Sequence, residues 1–251
     1  MSTCYAFKDI NSSECLVDHL RDVMRCSRSR WETIGLSRKL MNLYGVNNEL
    51  VSELIAVSAL LHDVGKADKR YQLSCKEVCA EFPNHYIFST QLSIHLGRLV
   101  GLSELDAENI SNIFDEVLLR NLERFTEGTI YSVVIVVPIL LHHYAQINPM
   151  KPISSGLYRE FNVYEDCLED LIRLFSEVMN IVKTELPRKI VKAIYELLSK
   201  SPIIKDLPVI PLKPEHFFNL QKPLPQRFII EAVLGILNLC DGIVASRNRR
   251  R

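Results

Sequence analysis

Seven histidines are the whole imidazole supply of this 251-residue chain: His19, His62, His85, His95, His142, His143 and His216. One is followed by a carboxylate, in Ala59-Leu60-Leu61-His62-Asp63-Val64-Gly65-Lys66, and two are adjacent, in Leu140-Leu141-His142-His143. An imidazole and a carboxylate side by side at the end of an apolar helix can reach one metal ion, and the carboxylate keeps a second oxygen for another. Successive helical residues point about 100° apart, so neighbouring ligands are both useful only where a helix ends at a site. Two separate helix ends that each offer a doublet of metal-ligand types are hard to explain by packing alone. Imidazole and carboxylate together suit manganese, iron, cobalt, nickel or magnesium rather than a thiolate-bound structural zinc.

The elements that must position these residues are mostly helices. Asn11-Ser12-Ser13 offers N-caps for a helix through His19 to about Arg30, with Leu16, His19, Leu20 and Val23 on one face. Asn47 or Asn48 can cap a second helix whose Leu50, Leu54, Val57 and Leu61 point inward, and Gly65 is expected to end it. Residues 75–81 and 85–100 read as helical around Pro83, and Ser103 caps a helix to about Phe125. The run Ile130-Tyr131-Ser132-Val133-Val134-Ile135-Val136-Val137 is rich in β-branched residues, which favours a strand. It lacks a polar face and an obvious partner strand, so a fully buried helix kinked near Pro138 is the better reading. Residues 145–160 form a loop, Val163 to Glu185 an amphipathic helix, and Pro187 suits the first turn of another, to about Leu198. Residues 201–226 hold six of the eleven prolines and read as an irregular excursion placed to cover the site as a flap. Phe228 to Ser246 is a final apolar helix. No internal repeat or long linker divides the chain, so residues 1–251 are expected to form a single, predominantly all-α domain.

Composition sets the outer bounds. With 47% hydrophobic residues the chain can bury a sizeable core, and its nine glycines and many helix formers fit a helical class. Lys+Arg and Asp+Glu are both 30, so a duplex-coating role is disfavoured and any grip on nucleic acid must be local. The seven cysteines are scattered, with no C-x-x-C pair, and read as reduced intracellular thiols, although intracellular proteins of hyperthermophiles do carry disulfides. Cys75 and Cys79, at i and i+4, read as thiols rather than metal ligands. The first 30 residues contain no apolar signal core, and the longest apolar-rich stretch, Ile130 to Leu141, is too short to span a bilayer and holds a proline. A cytoplasmic protein with no membrane partner is the expectation.

The order of these residues resembles the HD phosphohydrolase superfamily, and more narrowly the CRISPR-associated HD nucleases, the nuclease half of the type I interference helicase–nuclease. The segments that carry the likeness are Leu16-Val17-Asp18-His19-Leu20, Leu61-His62-Asp63-Val64-Gly65-Lys66, Asn84-His85-Tyr86-Ile87-Phe88-Ser89, Leu140-Leu141-His142-His143 and Asp241-Gly242-Ile243-Val244-Ala245-Ser246. The HD dipeptide and the distant Asp are generic to the superfamily, while His85 and the His142-His143 doublet narrow it. The resemblance implies an HD-domain helical fold in which His19, His62, Asp63 and Asp241 hold one metal. Asp63 would bridge to a second held by His85, His142 and His143. It places Lys66 near a scissile phosphate, with Asp63 and Lys66 as the catalytic pair, and Ser89 and Ser246 beside the site or on a phosphate. The implied chain is a free-standing nuclease that cuts single-stranded DNA, or RNA, alongside a separate helicase subunit and an RNA-guided surveillance complex. The residue types suit that chemistry on their own terms: two divalent ions can hold a phosphodiester, acidify a water and stabilise the leaving oxygen, while a lysine offsets charge on the phosphoryl group.

Plainer roles stand beside these. A lone histidine on an apolar helix face, such as His19, is usually a core residue, and Lys66 could be only a cation at a helix C-terminus. Asp241 is harder to dismiss, because a carboxylate among Leu237, Leu239, Cys240, Ile243 and Val244 is costly to bury unpaired. His95 and His216 match nothing in the family pattern and read as structural or exposed. Arg21, Arg25 and Arg28 form one stripe on the His19 helix, and Arg247, Arg249, Arg250 and Arg251 follow Asp241. Both sets could guide a phosphate backbone, or be a solvated face and a frayed tail. Two rival functions remain: a nucleotide or cyclic-nucleotide phosphohydrolase, and a non-catalytic, metal-stabilised subunit of an effector complex.

Overall fold

A computed structural model describes residues 4–76, 78–79, 81–122, 124–143, 159–212, 216 and 224–249. Helices make up nearly all of its regular structure. In chain order, a hairpin of β1 (Tyr5–Lys8) and β2 (Ser13–Cys15) leads into α1 (Leu16–Ser29), α2 (Trp31–Tyr44) and α3 (Asn48–Leu61). A 3-10 turn (Val64–Ala67) and the short α4 (Lys69–Gln72) connect to α5 (His85–Leu99), α6 (Ile110–Leu119) and α7 (Glu127–Leu141). Then come β3 (Phe161–Asn162), α8 (Glu165–Met179), α9 (Glu185–Lys200), β4 (Ile203–Ile204) and α10 (Pro225–Asn248). The strands form only two small antiparallel pairs, β1 with β2 and β3 with β4.

Two helices define the centre. In α3 every residue from Leu54 to Leu61 is buried, and in α7 every residue from Gly128 to Leu141. Helix α3 packs on α1, α2, α7 and α9, and α7 packs on α5 and α10. The β-branched run is therefore helix, as expected for a segment with no polar face: burial on all sides overrides strand propensity. Its irregularity is a π turn over Ser132–Val136, where Val137 N–H donates to the Ser132 carbonyl five residues back. Pro138 follows directly and cannot supply the next N–H, which accounts for the break in the α pattern.

Several boundaries differ from the sequence reading. Asn11 and Ser12 close the β1–β2 turn by donating their backbone N–H groups to Asp9 Oδ1, at 2.8 and 2.6 Å, and do not cap α1. Residue 75 sits in a 3-10 turn and Cys79 in a bridge to Lys8, not in a helix. Ser103 starts one 3-10 turn, and α6 begins only at Ile110. The helix expected over 163–185 ends at Met179. There the buried Glu53 carboxylate of α3 accepts from Lys183 N, Thr184 N and Thr184 Oγ1, holding the chain extended before α9. The loop expected over 145–160 lies outside the described residues except for 159 and 160.

The described part of the proline-rich excursion is not a flap over the histidines. It is fastened elsewhere: Leu207 N donates to the Arg159 carbonyl, Gln91 of α5 donates to the Pro208 carbonyl, and His216 Nε2 lies 2.7 Å from Asp115 on α6. Six of the seven cysteines are joined, as Cys4–Cys167, Cys26–Cys240 and Cys75–Cys79, which corrects the reading of reduced thiols. The first two pairs are 163 and 214 residues apart in sequence, so only packing could reveal them. Helix α10, rather than Ile130–Leu141, is long and apolar enough to cross a membrane, yet it lies against α1, α2 and α7 and carries Asp241. One face of it packs into the core, while Phe228, Leu239 and Ile243 are exposed.

Gly65 does not end α3 in a left-handed conformation. It lies inside the 3-10 turn with an ordinary negative φ, and is required by close approach: a Cβ there would sit 2.1 Å from the His85 carbonyl oxygen. Gly65→Ala should lower stability by about 1–3 kcal/mol in denaturant unfolding, the usual cost of overpacking; an unchanged midpoint would mean the turn is not wedged against α5. Alkylation of the denatured, unreduced protein should modify Cys15 alone, and labelling of all seven cysteines would contradict the pairing.

Candidate metal centre

Three histidines reach the centre by one local device. His62 follows the last residue of α3, and its Nδ1 bonds the Ala59 carbonyl three residues back at 2.7 Å. His142 does the same past the end of α7, on Ile139 at 2.6 Å, and His85 at the start of α5, on Phe82 at 2.5 Å. The carbonyls at Ala59 and Ile139 belong to helix C-terminal turns, which lack intrahelical donors. The imidazole satisfies the carbonyl, must carry its proton on Nδ1, and is left with Nε2 as a lone-pair donor aimed inward. His19, in the first turn of α1, is fixed differently: its Nδ1 is 2.8 Å from Oε1 of Glu14, a carboxylate 2% exposed on β2.

All the Nε2 atoms converge on Asp63. Its Oδ1 faces His85 Nε2 at 2.8 Å and His142 Nε2 at 3.4 Å. Its Oδ2 faces His19 Nε2 and His62 Nε2, each at 3.4 Å, and Lys66 Nζ at 2.6 Å. Asp241 of α10 approaches from the same side as His19, at 3.2 Å. His143 Nε2 lies 3.1 Å from His85 Nε2. Two groups result, Asp63 with His85, His142 and His143, and Asp63 with His19, His62 and Asp241. Within each, one ligand atom per residue lies within 4.8 Å of the others.

These residues fit divalent metal. His19 Nε2, His62 Nε2, His142 Nε2 and Asp63 Oδ1 are buried with no hydrogen-bond partner among the described residues. Buried polar atoms without partners are rare and costly, and divalent metal would satisfy the three imidazole nitrogens together with the carboxylate oxygen they surround. The protonation states agree. Burial pushes His62 down to about 4. Burial, with His142 and His85 close by, pushes His143 down to about 3. Burial also lowers His85. All three are therefore neutral and ready to ligate. Burial alone would raise Asp63, but His62, Lys66 and His85 outweigh it and hold the carboxyl well below its usual range. Asp241 is lowered in the same way: burial opposes, and His19 and His62 prevail. For His19, burial would lower the value, yet Asp241, Asp63 and Glu14 raise it well above normal. At His19 Nε2, Asp63 and Asp241 thus claim a positive charge, which a metal ion would supply in place of the proton.

A family model for the HD domain of Cas3 matches residues 8–147. The chain belongs to the Cas3 HD-domain family. A search of curated proteins found no match. Membership makes the chain a CRISPR-linked member of the HD hydrolases, which bind divalent metals. The match contains His19, His62, Asp63, His85, His142 and His143, whereas Asp241 lies beyond it and joins them only through the fold.

The remaining candidates separate clearly. Lys66 is on the floor of a cleft of about 520 Å³, with Phe82, His85, His143, Asp241, Ala245 and Arg249 around it. Ser89 is fully buried and accepts from Gly65 N at 2.9 Å, so it braces the turn after Asp63 and does not reach the cleft. Ser246 is exposed in a shallow groove with Asn238, Ile243 and Arg247, on another side of α10. The arginine stripe of α1 is misdirected for substrate. Arg21 is two residues past His19, hence about 200° round the helix from it, and pairs with Asp18 and Glu177. Arg28 approaches Glu53, and Arg25 is exposed on the same stripe. Arg247 pairs with Asp22 at 2.5 Å. His95 and His216 are away from the centre, as the sequence suggested.

The sequence reading passes over Glu14, which holds His19, and includes Arg249, the arginine that lines the cleft, only as one of four C-terminal arginines. Five residues separate Glu14 from His19, across a strand-to-helix junction that spacing rules do not cover. Arg249 follows Asp241 and Ala245 at i+4 steps, a signal that was available. Glu14→Ala should weaken manganese binding about 10–100-fold, the usual cost of removing a carboxylate behind a histidine ligand, while Glu14→Gln retains an acceptor and should lose less. Titration calorimetry reads both, and wild-type affinity in Glu14→Ala would show that His19 needs no support.

Proposed function

We propose that this chain is a metal-dependent nuclease that hydrolyses phosphodiester bonds of single-stranded DNA, with RNA as a second substrate. It would act in the cytoplasm beside a separate helicase and an RNA-guided surveillance complex. The observation that carries the reading is the split of the Asp63 carboxylate, one oxygen toward His85 and His142 and the other toward His19 and His62. That division supports a bridge between two ions. Bound there, a pair of divalent ions would supply Lewis acidity to the phosphoryl oxygens and an acidified water. Asp63 fixes the separation of the two ligand groups, and the histidines behind it are held by their Nδ1 bonds. Lys66, paired with Asp63 and 12% exposed at its side chain, is free to turn toward charge on the phosphoryl group when a cation takes over Asp63.

Burial favours a single strand. His19, His62 and His142 side chains are at most 1% exposed, and the groups that border the cleft are Asp241, at 30%, His143 and the edge of His85, at 5%. A rigid duplex cannot bring a phosphate down to recessed ligands, whereas a flexible strand can dip into the cleft.

Wild type should take up two manganese ions per chain, His143→Ala should weaken one of them, and Asp63→Ala should abolish both. With manganese, magnesium, nickel or cobalt present, wild type should cut labelled single strands faster than duplex. Asp63→Ala should lose at least 100-fold in rate, and chelation should stop the reaction. Cleavage that survives both chelation and Asp63→Ala would defeat the proposal. Turnover of free nucleotides in its place would point to the phosphohydrolase reading, and a metal-dependent rise in melting temperature with no cleavage to a structural subunit.

A further inference from the structure

We propose that Arg249 grips a backbone phosphate next to the scissile one; this rests on the nuclease reading above. Asp241, Ala245 and Arg249 occupy one stripe of α10 and line the same cleft as Lys66, His85 and His143. Arg249 is eight residues past Asp241, about 12 Å along the helix axis. Two helical turns beyond Asp241, its side chain enters the cleft at a different point from the ligand groups. It is within reach of the neighbouring phosphate of the same strand, and the small Ala245 between them leaves the path open.

The guanidinium is held in place before any strand arrives. Its Nε is 3.4 Å from Oε2 of Glu14, and its carbon sits 4.0 Å from the centre of the Phe7 ring on β1. Glu14 is the carboxylate that also holds His19, and Asn248 donates to it at 3.1 Å. The arginine and a metal ligand are thus anchored on one buried group. Its two terminal nitrogens have no hydrogen-bond partner among the described residues, and the side chain is 40% exposed. A fixed, planar fork with its outer edge open is suited to bidentate contact with a phosphate. Glu81 also borders the cleft, so the cations Lys66 and Arg249 mark the track a polyanion would follow.

The test compares two substrates of the manganese-loaded full chain: a labelled single-stranded oligonucleotide, and bis(p-nitrophenyl) phosphate, which has one phosphodiester and no neighbour. In Arg249→Ala the ratio of kcat/KM for oligonucleotide to that for the small ester should fall about tenfold or more, and Arg249→Lys should recover part of it. Oligonucleotide binding followed by anisotropy should show a salt dependence shallower by about 0.7 in log–log slope, the loss of one phosphate contact on a single strand. Arg249→Gln, which can still donate to Glu14, guards against a folding defect in the alanine variant, and melting temperature and manganese affinity are read alongside. A ratio equal to wild type in both variants overturns the proposal, since a merely structural arginine would affect both substrates alike. A wild type that cuts the small ester but no oligonucleotide overturns the nuclease reading, and this proposal with it.

Discussion

The structure depends on one buried charge. Asp63 lies at the end of α3, the most enclosed helix together with α7, and only 1% of its surface is exposed. A lone carboxylate in that position would be prohibitively costly. It is tolerated because four helices and a turn deliver positive or metal-binding groups to it: His19 from α1, His62 from its own helix end, Lys66 from the following turn, His85 from α5 and His142 from the end of α7. Each approach is set by a contact with no other evident purpose. Gly65 lets the turn close onto the His85 carbonyl, Ser89 receives the Gly65 N–H, and the π turn ahead of Pro138 precedes the helix end that presents His142 and His143.

The same economy appears in how the imidazoles are oriented. A helix end has carbonyls that need donors, and a histidine placed three residues on can satisfy one with Nδ1. The ring then cannot rotate freely, and its tautomer is fixed. Ligand orientation therefore comes from local chain geometry at His62, His85 and His142, and demands no further polar residues in the core. His19 sits in the first turn of its helix, away from any free C-terminal carbonyl, and its Nδ1 is held instead by a carboxylate on the preceding strand, Glu14.

Charge is sorted by direction around the fold. Arg21 and Arg28 turn toward Glu177 and Glu53, Arg247 turns toward Asp22, and Lys66 and Arg249 border the cleft over the ligand groups. A chain with no net charge can in this way present a short cationic track without a basic surface. The N-terminal hairpin, unremarkable by composition, reaches the centre through Glu14, which holds His19, and sets Phe7 against Arg249.

The chain's residues alone specified the candidate ligand types, the two helix-end doublets and the predominantly helical class, because ligand chemistry and helical periodicity are both written in local spacing. They also identified residues 130–137 as a buried helix, since a segment with no polar face has nowhere else to go. What spacing could not specify were contacts between distant segments. Asp241 joins His19 across 222 residues, Cys26 meets Cys240, and Glu53 takes the place of a cap before α9. Glu14 meets His19 across the β2–α1 junction, Arg249 meets Glu14 only when β2 and the end of α10 come together, and the arginines of α1 face away from the centre once the helix is rotated to bury His19. Local sequence decides which groups are offered; packing decides which of them face one another, because direction around a helix and distance across a core are properties of the assembled chain.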